Sequence, residues 1–197
     1  MKPSKKSLGD LPVIAFETQK AWANWLAKNH TTASGLWLKL AKKASGLPSV
    51  SYDEALEVAL CYGWIDGQKN GYDEKWWLQK FTLRGARSVW SKINRDKAER
   101  LIKDGRMKPA GLKAAEAAKQ NGQWDAAYDG QRTATVPDDL QAALNKSARA
   151  KAFFATLNSA NRYAILFRIH TAKKAETRAR RIQQFIEMLE KNELLYP

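Results

Sequence analysis

The chain carries a single cysteine, Cys61, and only 2 histidines, His30 and His170, among 197 residues. A lone thiol cannot close an internal disulfide, so a packed core must hold the fold, and such a count fits a reducing, cytoplasmic compartment. The histidines stand far apart, and neither a Cys-x-x-Cys nor a His-Glu-x-x-His spacing occurs, so no metal site is expected. Glycine-rich phosphate loops and the Gly-x-Ser-x-Gly elbow are also missing, which removes common signatures of nucleotide-using enzymes and serine hydrolases. Cys61 follows Ala59-Leu60 at the apolar end of a helical pattern and reads as a small hydrophobe rather than a nucleophile. No apolar run approaches the roughly 18 residues that span a bilayer. The basic opening from Met1 to Ser7 is not followed by an apolar run of signal-peptide length, so no export segment is expected. The expectation is a soluble chain without a cofactor, with no reaction specified, and so a binding protein before an enzyme.

What is abundant is aromatic and basic. There are 8 Trp, 6 Phe and 6 Tyr, so much of the 44% hydrophobic content is delivered as large flat rings. Lys and Arg total 34 against 20 Asp and Glu, a formal charge of +14, which attracts polyanions, anionic headgroups or acidic proteins. Residues 134–197 carry +5 of this and the preceding part +9, so no isolated basic tail holds the excess.

The periodicities predict a predominantly helical α+β fold, with a small antiparallel sheet packed on helices and a helical bundle after it. Thr18 precedes a helix with Trp22, Trp25 and Leu26 on one face, and Leu36 to Lys42 alternates as a strand with its leucines turned inward. Ser51 and Glu54 have capping-box spacing before a helix that ends at Gly63. Residues 64–84 read as a hairpin with a loop over Asn70 to Lys75. Ser91 and Pro109 open two further helices. Gly130 to Val136 is polar and aperiodic, so residues 1–133 are expected to form an α+β domain and 134–197 a helical one.

Along an extended segment Trp64 and Asp66 share a face, and Arg84 and Arg87 leave the next strand just before Trp90. These five residues could wall a ligand pocket with rings, one acid and two forked cations. Asp66 could instead pair with Arg84 or Arg87 and pin the hairpin, or, least favoured, act as a general base. Arg178, Arg180 and Arg181 form the densest basic stretch, readable as a phosphate or nucleic-acid contact or as the solvent face of a helix.

Four blocks in order carry a resemblance: Ala59 to Gln68 (ALCYGWIDGQ), Phe81 to Asn94 (FTLRGARSVWSKIN), Gly105 to Gly111 (GRMKPAG) and Ala172 to Ile182 (AKKAETRARRI). Together they resemble the YdeI/OmpD-associated, bacteriocin-protection family. Leu83 stands where that pattern expects Pro, and Gly85 where it expects a basic residue. The resemblance implies protection against bacteriocins or antimicrobial peptides, and brings no reaction, cofactor or catalytic residue. Joined to the ring-and-cation group, it predicts a protein that sequesters an antimicrobial peptide or a small aromatic toxic compound. A nucleic-acid-binding module using the basic surface is the alternative.

Overall fold

The computed structural model describes residues 9–197; the basic opening from Met1 to Ser7, on which the reading of no export segment rests, lies outside the described residues. In chain order the elements are β1 (Val13–Ala15), α1 (Gln19–Asn29), β2 (Gly35–Ala41), α2 (Tyr52–Cys61), β3 (Trp64–Gly71), β4 (Trp76–Leu83), α3 (Lys92–Lys103) and α4 (Pro109–Gln120), then α5 (Asp138–Asn145), α6 (Ala148–Thr156), α7 (Ser159–His170) and α8 (Ala175–Glu190). The fold is α+β and predominantly helical. The described chain divides into two compact units, one of residues 9–88 and Asn94–Asp125, the other of Val89–Ile93 and Ala126–Pro197.

In the first unit the helix starts are fixed by side chains that satisfy otherwise orphaned N–H groups. The Thr18 hydroxyl accepts from Ala21 N–H at 3.1 Å. The Ser51 hydroxyl accepts from Glu54 N–H at 3.3 Å, while the Glu54 carboxylate accepts from Ser51 N–H at 2.8 Å, completing the capping box. Those bonds to Ser51 hold the Glu54 carboxyl below its ordinary range. The α2 helix closes at Gly63, whose φ of +72° suits glycine, and the α4 helix then lies against its end. A Cβ on Gly111 would strike the Cys61 carbonyl oxygen, the Leu60 carbonyl oxygen at 2.7 Å and Met107 Sδ at 2.7 Å, so only glycine admits this approach.

The sheet order is β1-β2-β4-β3. The expected antiparallel hairpin is present as β3 and β4, and β2 pairs antiparallel with β4, but the sheet is mixed because β1 runs parallel to β2. The leucines of β2 are buried as expected, yet Trp37, on the opposite face, is also only 2% exposed. Both faces of that strand are therefore covered. The register slips between Asp66 and Lys69 at a bulge, where three steps on β3 oppose two on β4. The buried Gln79 amide donates to the Gly67 and Gln68 carbonyls at 2.9 and 3.3 Å, supplying donors that the interrupted ladder does not.

The core of this unit is aromatic. Trp22 stacks on Trp25 at 5.5 Å between centroids, meets Phe81 at 5.8 Å and presents its edge to Trp64 at 6.3 Å. The indole N–H groups of Trp22 and Trp64 donate to the Ala55 and His30 carbonyls, both at 3.0 Å, so the rings enter the core with their polar ends satisfied.

The second unit is built on α5 to α8 around a mostly aliphatic cluster that includes Leu140, Leu144, Ile165, Ile169, Ile182 and Leu189, with Phe154 and Phe185 among them. Helical spacing puts these side chains on the inner stripes. Asn161 is only 1% exposed within that unit, and its side chain accepts from Leu195 and Tyr196 N–H at 3.0 and 2.9 Å and donates to the Tyr196 carbonyl at 3.0 Å. One buried amide thus fixes an extended segment onto α7.

Candidate functional site

The residues expected to wall a pocket have different fates. Trp64 is 0% exposed and belongs to the aromatic core, so its ring cannot serve as an open wall, correcting that expectation. Asp66 accepts from the Tyr52 hydroxyl at 2.8 Å and from the Asn94 amide at 3.4 Å, ties between β3, α2 and α3. Arg84 is half-buried, and its backbone N–H donates to the Gly63 carbonyl at 3.0 Å; Arg87 is exposed. Trp90 is 2% exposed and belongs to the second unit, with its carbonyl accepting from Tyr128 N–H at 2.9 Å. Both indoles are packed away because a ring on an apolar stripe gains more from burial than from lining a wet surface.

In the basic stretch, Arg178 is occupied within its own unit. Its fork grips the Asp139 carboxylate at 2.5 and 2.9 Å, and its remaining nitrogen donates to the Ile169 carbonyl at 3.0 Å. This pairing holds the Asp139 carboxyl below its ordinary range and the Arg178 guanidinium above its own. Arg181 donates to the Arg168 carbonyl, and Arg180 is exposed.

The rings that do border an opening were not singled out by the sequence. Within the second unit, Tyr128, Tyr163, Phe167 and His170 line a cavity of about 140 Å³, with Asp129 and Arg178 also in its wall. Tyr163, Phe167 and His170 stand four and three residues apart, so they form one stripe of α7, beside the stripe of Ile165 and Ile169 that enters the core. That spacing is the signal that could have revealed the site. Tyr128 meets Phe167 edge to face at 4.8 Å, and Tyr163 lies 6.1 Å from Phe167.

The polar groups around these rings are anchored. The Tyr163 hydroxyl donates to the Asp129 carbonyl at 3.1 Å, and a His170 ring nitrogen lies 3.0 Å from the Ala126 carbonyl. Burial, with smaller contributions from Tyr128 and Asp129, pushes the Tyr163 phenol up to about 12, so it is a neutral donor at physiological pH. The Asp129 carboxylate pairs with Lys92 at 2.8 Å. The wall therefore offers ring faces and balanced charge, which suits capture of a ring or an apolar side chain. Among the described residues no group of three or more His, Cys, Asp or Glu could hold a metal ion, and no helix is long and apolar enough to cross a membrane.

Comparison with known proteins divides the chain in a way the sequence resemblance did not. Residues 133–192 match the family described as Bacteriocin-protection, YdeI or OmpD-Associated. The blocks between Ala59 and Gly111 fall instead within a second match, over residues 14–114. All the cavity residues named above except Tyr128 and Asp129 lie in the first of these segments. No curated protein and no solved structure matches the chain. Through the match over residues 14–114, which spans half its length, the chain belongs to the family described as Domain of unknown function (DUF8412), and it carries a bacteriocin-protection, YdeI or OmpD-associated segment after it.

Proposed function

We propose that this chain is a binding protein of the bacteriocin-protection type, and that its second unit takes one ring-bearing side chain of an antimicrobial peptide into the cavity between Tyr128, Tyr163, Phe167 and His170. The observation that carries this reading is the ring-lined opening itself, in the unit that contains the bacteriocin-protection segment. Size separates a peptide side chain from a whole aromatic compound. Sites that enclose a drug-sized ligand occupy roughly 300–1,000 Å³. At about 140 Å³ this cavity is nearer to one that admits a single benzene-sized ring.

Energetics point the same way. Burying one aromatic side chain removes about 150–250 Å² from water, worth roughly 4–6 kcal/mol at about 25 cal/mol per Å². Lost translational freedom consumes most of that, so a ring alone binds weakly and a peptide needs contacts along its length. The nucleic-acid alternative rests on charge, and two of the three guanidinium groups in the basic stretch are engaged inside their own unit.

NMR titration of the full chain with aromatic-bearing antimicrobial peptides tests the reading. Saturable shifts at Tyr163 and Phe167 are expected, lost in Phe167→Ala while the rest of the spectrum is kept. Absence of any response up to about 1 mM peptide, where binding is worth only about 4 kcal/mol, overturns it.

A further inference from the structure

The first unit has an opening of its own, independent of the ring-lined cavity. It is a groove of about 450 Å³ between the start of α1, the end of α2 and the turn before α4. That volume lies in the range of small-molecule sites, roughly 300–1,000 Å³. Its apolar lining comes from Val58, Cys61 and Tyr62, and its charge from Lys20, Arg106 and Lys108. Among the described residues no carboxylate lines it.

Charge complementarity decides what such a groove can hold. Arg106 reaches the Glu57 carboxylate at 3.1 Å, but Glu57 also pairs with Arg100, so this triad keeps one positive charge. Among the described residues neither Lys20 nor Lys108 is within ion-pair distance of a carboxylate. Three cations thus face one concavity with a single, shared counter-charge, in a chain whose net charge is +14. Lined by cations over an apolar floor, a concave site concentrates field and favours an anionic ligand. Burial pushes the Cys61 thiol up, opposed by the fields of Arg106 and Lys108 and reinforced by that of Glu57.

We propose that this groove binds a small organic anion, a phosphate or carboxylate head on an apolar body, with the head held by Lys20, Arg106 and Lys108 and the body resting on Val58, Cys61 and Tyr62. Cys61 is the chain's only cysteine and, although only 6% exposed, borders the groove, so a change in its reactivity accompanies occupancy without its being part of the chemistry.

The test uses the full chain and three probes: naphthyl phosphate, naphthol with the same body and no head, and inorganic phosphate with the head alone. Each is assayed for protection of Cys61 against the neutral reagent dithiodipyridine, and by equilibrium dialysis, which does not depend on thiol access. Naphthyl phosphate is expected to bind and protect, and more weakly as salt rises. The exposed pair of changes Lys20→Gln with Lys108→Gln should weaken it about tenfold, two exposed charges each being worth at most about one kcal/mol. Equal binding of naphthol reduces the groove to an apolar crevice and overturns the proposal. So does equal binding of inorganic phosphate, unchanged affinity in the lysine variant, or no dialysis signal up to about 1 mM.

Discussion

The two units differ in how far their aromatic residues are drawn into the core. In the first, Trp22, Trp64 and Phe81 are fully buried, and two of them donate indole N–H groups to main-chain carbonyls. In the second, the core is mostly aliphatic with Phe154 and Phe185 buried in it, and Tyr128, Tyr163 and Phe167 are left half-buried around an opening. The same residue class therefore builds a fold in one place and a candidate site in the other. What separates the roles is whether the ring's second face has a protein partner, and composition alone cannot report that.

Truncating one ring in each unit is the strongest way to break the comparison. Trp64→Ala should cost about 4 kcal/mol in the denaturant transition of the first unit, through lost burial and a cavity that cannot collapse. Phe167→Ala should cost no more than about 1.5 kcal/mol while abolishing ring binding. Similar losses in both variants would show that the open rings are structural as well. Gly111→Ala comes next, at about 3 kcal/mol, because its new Cβ meets main-chain oxygens of α2 and the α4 helix must move. A variant with unchanged stability would show that the two helices are not held this close.

Asp139→Asn is the smallest effect, about 1 kcal/mol or less, since Asp139 and Arg178 are 43% and 29% exposed and solvent screens them. The folded-state carboxyl is held low, so its contribution is present above the ordinary carboxylate range and is lost as pH falls through the lowered value. Acid denaturation followed by circular dichroism should show that loss in the parent chain and a flatter acid limb in the variant. An identical acid limb would remove the pair from the stability of the second unit.

Much of the fold was legible because its signals are local. Thr18 and the Ser51 to Glu54 spacing announce helix starts through hydrogen bonds spanning three residues, whereas the expected hairpin loop begins later than Asn70, because Asn70 and Gly71 still pair with Leu78 and Trp77. The β1 strand was not legible, since three residues in a parallel pairing show too little alternation to read. At the site the difficulty was different. Trp64 and Asp66 do share a face, but strand alternation says nothing about which face is covered. The ring stripe on α7 was hidden because Tyr163, Phe167 and His170 interleave with the aliphatic residues that dominate the same helix.

The bulge in β3 carries a consequence for sequences of this shape. Lys69 stands opposite Gln79, with its ammonium 4.4 Å from the Trp77 ring, and one additional residue separates it from Asp66. Deleting one of the two residues between Asp66 and Lys69 would restore an unbroken ladder with Lys69 still opposite Gln79, and would remove the bulged carbonyls that the Gln79 amide serves. The bulge and the glutamine are therefore coupled by hydrogen bonds in this chain. Chains with the same hairpin should gain or lose both together, and a relative retaining the glutamine without the insertion must have found that amide another acceptor.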